Sequence, residues 1–312
     1  MTLFTASLGQ MAVLFTLLLL GFALVRLKAL PSSGAGVLAR LQTLLLVPAL
    51  VLGTFAEQFS PAKLGAASRL LGLGALSGLL MCLVAVGVSR LAVRAPFDRS
   101  VCTYGLAFSN FAFCGNAVVS AVFPDVFLEY LIFTLPLWAG IYMWAVPELF
   151  LSGGQKQTLR QRAKNLLNPM FIAMALGMAI GLTGLHLPGF LARTVSSLGS
   201  CMSPIAMLLT GMAVADMDLG KTLRRPAVYL MCALRLLVFP LAAVALIPLL
   251  HMDETSAVCL VCSLAMPIGL NVVVIPAAYG QDVTLGAGLV IASHLLAALT
   301  IPLVFRLMEM VL

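Results

Sequence analysis

Long apolar stretches, each near the roughly 20 residues that a helix needs to cross a bilayer, recur along the whole chain. They fall at about 7–28, 35–56, 64–92, 100–122, 127–150, 169–186, 191–215, 226–250, 255–279 and 284–310. Hydrocarbon cannot hydrogen-bond a backbone, so a spanning segment must satisfy its own polar groups as a helix or join a closed barrel. The runs are continuous rather than alternating, which excludes barrel strands. A water-facing surface would require roughly a quarter charged residues, whereas 62% of this chain is hydrophobic, 9% is charged and the mean hydropathy is +1.11. The expected fold class is therefore an all-α integral membrane protein, multi-pass in the cell membrane, with the lipid bilayer as its solvent. The first run lacks a basic leader and a small-residue cleavage site before Arg26, so it is expected to stay as a span.

The longest polar stretch, 152–168, holds Lys156, Arg160, Arg162 and Lys164 and divides the chain into halves of five runs each. An odd number of spans per half sets the halves in opposite orientations. The expected organisation is a first five-helix repeat at 1–151, a basic linker at 152–168 and an inverted five-helix repeat at 169–312. Gly21 to Leu30-Pro31 echoes Gly177 to Leu187-Pro188, and Pro48 with Gly53 echoes Pro204 with Gly211. Basic residues cluster in alternate loops (Arg26, Lys28, Arg40; Arg90, Arg94, Arg99; the linker; Lys221, Arg224, Arg225), which places those loops in the cytoplasm and both termini outside. Topology and anionic headgroups thus account for the net charge of +7, and no nucleic acid is needed as a partner.

The fourth and ninth runs, equivalent in the two halves, are interrupted. The fourth reads Ser109-Asn110-Phe111-Ala112-Phe113-Cys114-Gly115-Asn116; the ninth reads Met266-Pro267-Ile268-Gly269-Leu270-Asn271 and continues to Pro276. Proline removes a donor and glycine relaxes the helix, so both runs are expected to be broken, crossing helices whose half-helix N-termini face an anion. Asn110, Gly115, Asn116, Pro267 and Asn271 are the candidate substrate-binding residues. Arg235 lies mid-span in the eighth run, where a charge costs roughly 2.5–3.5 kcal/mol; it either anchors a substrate carboxylate or ties down carbonyls of a broken helix. His294, inside the tenth run, is a candidate proton carrier, although a lone membrane histidine is more often a packing residue.

The chain has no nucleotide loop, no His-Glu-x-x-His and no acidic pair for a metal-held diphosphate, so no cofactor, no metal and no catalytic residue is expected. Its seven cysteines, Cys259-x-x-Cys262 included, read as small buried hydrophobes.

The chain resembles the auxin efflux carrier family, whose bacterial members include malonate and malate permeases. The resemblance rests on Asn168-Pro169, Leu187-Pro188, Pro204 with Thr210-Gly211-Met212-Ala213, Arg235 with Pro240, Met266-Pro267, Asn271 and Tyr279-Gly280-x-Asp282. It implies ten helices in two inverted repeats, with spans four and nine crossing at the site. Two departures stand out: the family's fourth span has a proline where this chain has Ala117, and a glycine where it has Ala112, so the ninth break is expected to be the firmer one. A secondary active or potential-driven carrier of small organic anions, exporting them by alternating access, is the expectation, with Na⁺ at unwound carbonyls or H⁺ on His294 as coupling ion. A membrane sensor on the same scaffold and an anion channel are the alternatives, and a homodimer suits the fold.

Overall fold

A computed structural model describes residues 3–150 and 158–312, and every regular element among them is helical. In chain order these are α1 (Leu3–Arg26), α2 (Gly34–Gln58), α3 (Pro61–Ala92), α4 (Pro96–Ala107), α5 (Phe111–Val122), α6 (Pro124–Phe150), α7 (Leu159–Lys164), α8 (Pro169–Thr183), α9 (Gly189–Val214), α10 (Leu219–Leu223), α11 (Pro226–Leu249), α12 (Glu254–Ala265), α13 (Asn271–Ala278) and α14 (Thr284–Val311). Seven of them, α1, α2, α3, α6, α9, α11 and α14, are long and apolar enough to cross a membrane, while α5, α8 and α12 are shorter apolar helices. The runs at 100–122 and 255–279 are each divided into two helices, α4 with α5 and α12 with α13.

Local chemistry explains the helix ends. Asn168 accepts from the N–H groups of Met170 and Phe171 at 3.1 and 3.3 Å, with Pro169 at the first helical position, so the Asn-Pro pair starts α8. Gly280 takes φ +66° to turn the chain after α13. Asp282 then accepts from the Thr284 hydroxyl at 2.6 Å and the Thr284 N–H at 2.9 Å, which holds its carboxyl below the usual range. Of the linker, residues 152–157 lie outside the described residues. Its remainder forms α7, which starts with a reciprocal Thr158–Gln161 cap and pairs Arg162 with Glu148 on α6.

Packing follows an exchange between the halves. α1 runs along α9, and α8 runs along α2; α3 packs on α4 and α6, and α11 packs on α12 and α14. Gly21 and Gly211 let α1 and α9 touch backbone to backbone, because a Cβ at Gly21 would overlap the Leu208 carbonyl and one at Gly211 the Leu18 carbonyl. The echoing Gly177 lies against Leu52 and Phe55 of α2. Leu76, Leu79 and Leu83 of α3 are exposed, as suits a surface whose solvent is lipid. Not every cysteine is buried: Cys201 is exposed and Cys82 half-buried, which costs a small apolar side chain nothing beside acyl chains. One end of the bundle carries Lys63–Glu129 at 2.8 Å and Arg69–Asp253 at 3.1 Å, and the other carries Arg225–Asp98 at 2.8 Å.

Substituting Gly211→Val should therefore destabilise the fold by about 3 kcal/mol, the upper part of the overpacking range. Gly87→Val, at a position with open space around it, should change stability by less than about 0.5 kcal/mol. Thermal unfolding of the two variants in the same detergent measures the difference.

Candidate functional site

Two interruptions meet inside the bundle. α4 ends at Ala107, and the chain then runs extended through Ser109, which forms an isolated antiparallel bridge with Ile268 in the gap between α12 and α13. The Asn110 N–H donates to the Pro267 carbonyl at 2.7 Å, so it is lost to Leu106, its acceptor in an unbroken helix. Pro267 has no N–H for the Ser263 carbonyl, and Met266 is extended at φ −70°, ψ 148°. Three carbonyls at membrane depth are thereby freed, and each needs a donor.

Arg235 supplies them. Its Nε donates to Met266 O at 3.2 Å, Nη1 to Leu106 O at 3.0 Å and Nη2 to Ser263 O at 2.9 Å. The guanidinium is 1% exposed and sits in a widened π-helical turn, Leu234–Val238, just ahead of Pro240. Of its two sequence readings, it takes the tie to broken-helix carbonyls, and it does not line the cavity described below. Two hydroxyls complete the junction: Ser109 Oγ donates to Ser263 O at 2.7 Å, and Ser293 Oγ accepts from the Ile268 N–H at 3.1 Å. The fourth-run break is thus as definite as the ninth without a proline at position 117, because it lies upstream, at 108–110, where the Pro267 carbonyl takes the Asn110 N–H and Arg235 takes the Leu106 carbonyl.

Beside the junction is a cavity of about 80 Å³. Ser109, Asn110 and Phe111 reach it from the start of α5, and Gly269, Leu270 and Asn271 from the start of α13; Tyr104, Trp138, Tyr142 and Thr43 close it. Asn271 Nδ2 donates to the Tyr104 hydroxyl at 2.8 Å. Trp138 stacks on Tyr142 with centroids 5.9 Å apart and meets the edge of Phe111 at 5.3 Å. Both helices bring their N-termini to the same space, and aligned peptide dipoles make such ends partly positive, although at α13 the Val272 and Val273 N–H groups already donate to the Gly269 and Leu270 carbonyls.

Among the sequence candidates, Asn110 and Asn271 line this cavity. Asn116 is buried but lies outside the lining, as do Gly115 and Pro267. Gly115 has a packing duty: a Cβ there would overlap the Tyr130 hydroxyl, which donates to Phe111 O at 3.0 Å. His294 stands against Asn110, its Nε2 at 3.1 Å from Asn110 Nδ2. Sequence reasoning passed over Tyr104, Ser263 and Thr43, since single hydroxyls in apolar helices carry no signature. Thr43 also lines a wide vestibule of about 890 Å³ between the start of α2, the end of α9 and α13, so the cavity and the vestibule share a wall.

The model of a family described as a membrane transport protein matches residues 6–165 and 156–305, nearly the whole chain. No curated protein matches it.

Arg235→Met should destabilise the protein by about 3–5 kcal/mol, since it removes charge-assisted bonds and strands buried carbonyls. Arg235→Lys should recover part of that, one ammonium being unable to reach three carbonyls spread along a planar fork. Thermal unfolding in detergent compares the two; equal melting for wild type and Arg235→Met would remove Arg235 from this structural role.

Proposed function

Because the chain belongs to this membrane transport protein family, we propose that it is a secondary carrier of small organic anions, carboxylates, working by alternating access where its two broken helices cross. The observation that carries the reading is the division of polarity at the crossing. The carbonyl ends of α4 and α12 are committed to Arg235, whereas the N-termini of α5 and α13, with Asn110 and Asn271, converge on one cavity. A cavity bounded by helix N-termini and by two asparagine amides, whose Nδ2 groups can be turned to donate, suits a carboxylate. The tyrosines and Trp138 give it an apolar wall for a short carbon chain, and the aromatic cluster limits its size. Malonate and malate are the substrates that the family resemblance suggests.

On this reading α4 with α5 and α12 with α13 count as spans four and nine of ten. The exchanged packing, α1 on α9 and α8 on α2, supports two inverted five-helix repeats, and two such units have alternative packings of similar energy. With the basic loops in the cytoplasm and both termini outside, the vestibule opens inward in the conformation described. A negative-inside potential favours outward movement of an anion by about 2.3 kcal/mol per charge per 100 mV, so efflux is the proposed direction.

The test is counterflow of radiolabelled acetate, lactate, malonate and malate in proteoliposomes, with potential, Na⁺ and pH gradients imposed separately. Saturable counterflow of one acid is expected, and Asn271→Ala should lower it at least about tenfold, one lost hydrogen bond to a charged ligand being worth about 1.4 kcal/mol or more, while stability falls by no more than the roughly 1 kcal/mol of the Tyr104 hydrogen bond that it also removes. Conductance without saturation would replace the carrier by a channel, and no movement of any of the four acids would end the anion reading.

A further inference from the structure

Both ring nitrogens of His294 are committed. Nδ1 lies 2.8 Å from the Val290 carbonyl oxygen, one turn back on α14, and Nε2 lies 3.1 Å from Asn110 Nδ2. A carbonyl only accepts, so Nδ1 carries the hydrogen; an amide nitrogen only donates, so Nε2 is bare. The imidazole is therefore neutral, and it dictates how Asn110 is turned. With Nδ2 directed at the histidine, the other atom of the amide is Oδ1, an acceptor, which a carboxylate does not bind.

No hydrogen-bonding group besides these two meets the ring among the described residues. From α1 and α9 it faces Phe15, Leu18, Leu19, Phe22, Thr210 and Val214 across an apolar cavity. On the other helices packed along α14, the buried titratable groups are already engaged or are thiols: Arg235 and Cys232 on α11, Cys259 and Cys262 on α12, and Cys102 and Tyr104 on α4. The remaining ones stand at helix ends or on the exposed surface: Arg26 of α1, Tyr229 of α11, Glu254 of α12, and on α4 Arg99, which donates to the Val93 carbonyl, and Asp98, which pairs with Arg225. Lys221 of α10 is exposed and pairs with Asp218.

We infer that Asn110 and His294 form a proton-linked amide switch, in which a proton on Nε2 turns the Asn110 amide over and so makes the cavity a carboxylate site. The inference rests on the carrier reading above and names its coupling ion. Protonated Nε2 becomes a donor and cannot face Nδ2, so the amide rotates and Oδ1 accepts from Nε2–H. Nδ2 then turns its hydrogens toward the cavity, where they meet the carboxylate beside the N-termini of α5 and α13. Nδ1–H stays on Val290 throughout. When the anion leaves, Nε2 releases its proton to the same side and the amide turns back. One proton thus travels with each anion, and the imidazolium offsets the cost of a lone carboxylate at membrane depth. A monocarboxylate then moves with no net charge and gains nothing from the potential, so potential-driven efflux holds only for a dicarboxylate, which still leaves the cell carrying one charge.

The test uses the full chain in proteoliposomes, with counterflow of acetate, lactate, malonate and malate followed from pH 5 to 9 at clamped potential. For whichever acid exchanges, the apparent KM should rise about tenfold per pH unit on the alkaline side while kcat stays level, as one linked proton requires. An inside-alkaline pH gradient should drive its uptake against its own gradient. In His294→Gln, the residual counterflow should lose its pH dependence and its response to the gradient. Saturable counterflow with a KM independent of pH, or an unaltered pH profile in His294→Gln, overturns the switch and leaves the carrier reading intact; no exchange of any of the four acids overturns both. Where His294→Gln is inactive or unfolded, ¹⁵N NMR of the His186→Gln/His251→Gln protein decides, since one imidazole remains. A bare Nε2 that becomes protonated at a saturating concentration of the exchanging acid is expected, and an unchanged neutral tautomer overturns the proposal.

Discussion

Hydrocarbon offers no partner to a backbone polar group, so a helix can be interrupted at membrane depth only where something else completes its hydrogen bonds. Here that something is one guanidinium. Arg235 takes Leu106, Ser263 and Met266 carbonyls from two different helices, and the Asn110 N–H closes on Pro267. Each break thus supplies part of what the other needs. The charge of Arg235 is tolerated for the same reason: carbonyl dipoles solvate it in place of water.

That arrangement also sorts polarity. Carbonyl ends are drawn to Arg235 on one side of the crossing, which leaves the N–H ends of α5 and α13 to face the cavity on the other. The distinction between a structural tie and an anion site is therefore one of direction rather than of residue type. It explains why an arginine beside a proposed anion site need not touch the anion. Tyr104, Trp138 and Tyr142 give this polar space an aromatic wall, and Thr43 sits where the cavity borders the vestibule.

Close backbone contact at Gly21 and Gly211 brings α1 and α9 together, and Gly177 does so for α8 and α2. Since apolar side chains gain little by leaving lipid for one another, such approaches and the buried polar contacts supply specificity to the packing. His294 extends the same economy of partners. Its single link to Asn110 connects the cavity to α14, the long helix that also packs on α1 and α11.

The sequence by itself determined the helical membrane class, because unbroken apolar runs with so few charges admit no other solvent and no other backbone. It also marked Asn110, Asn271 and the two interrupted runs, since glycine, proline and asparagine disturb a helix wherever they stand. Only the tertiary structure decided the rest. The break at Asn110 needs no local proline because its partner is Pro267 in the other half of the chain; Gly115 falls outside the cavity because it packs against the Tyr130 hydroxyl, and Asn116 beside it is buried away from the lining. Arg235 had two readings until the carbonyls around it were placed. Tyr104 gave no sign at all, because its hydroxyl acquires meaning only from the Asn271 amide 2.8 Å away. Helix formation in lipid is dictated locally by each segment's own polarity, whereas a site at a crossing is made of backbone ends that meet only when the bundle has closed.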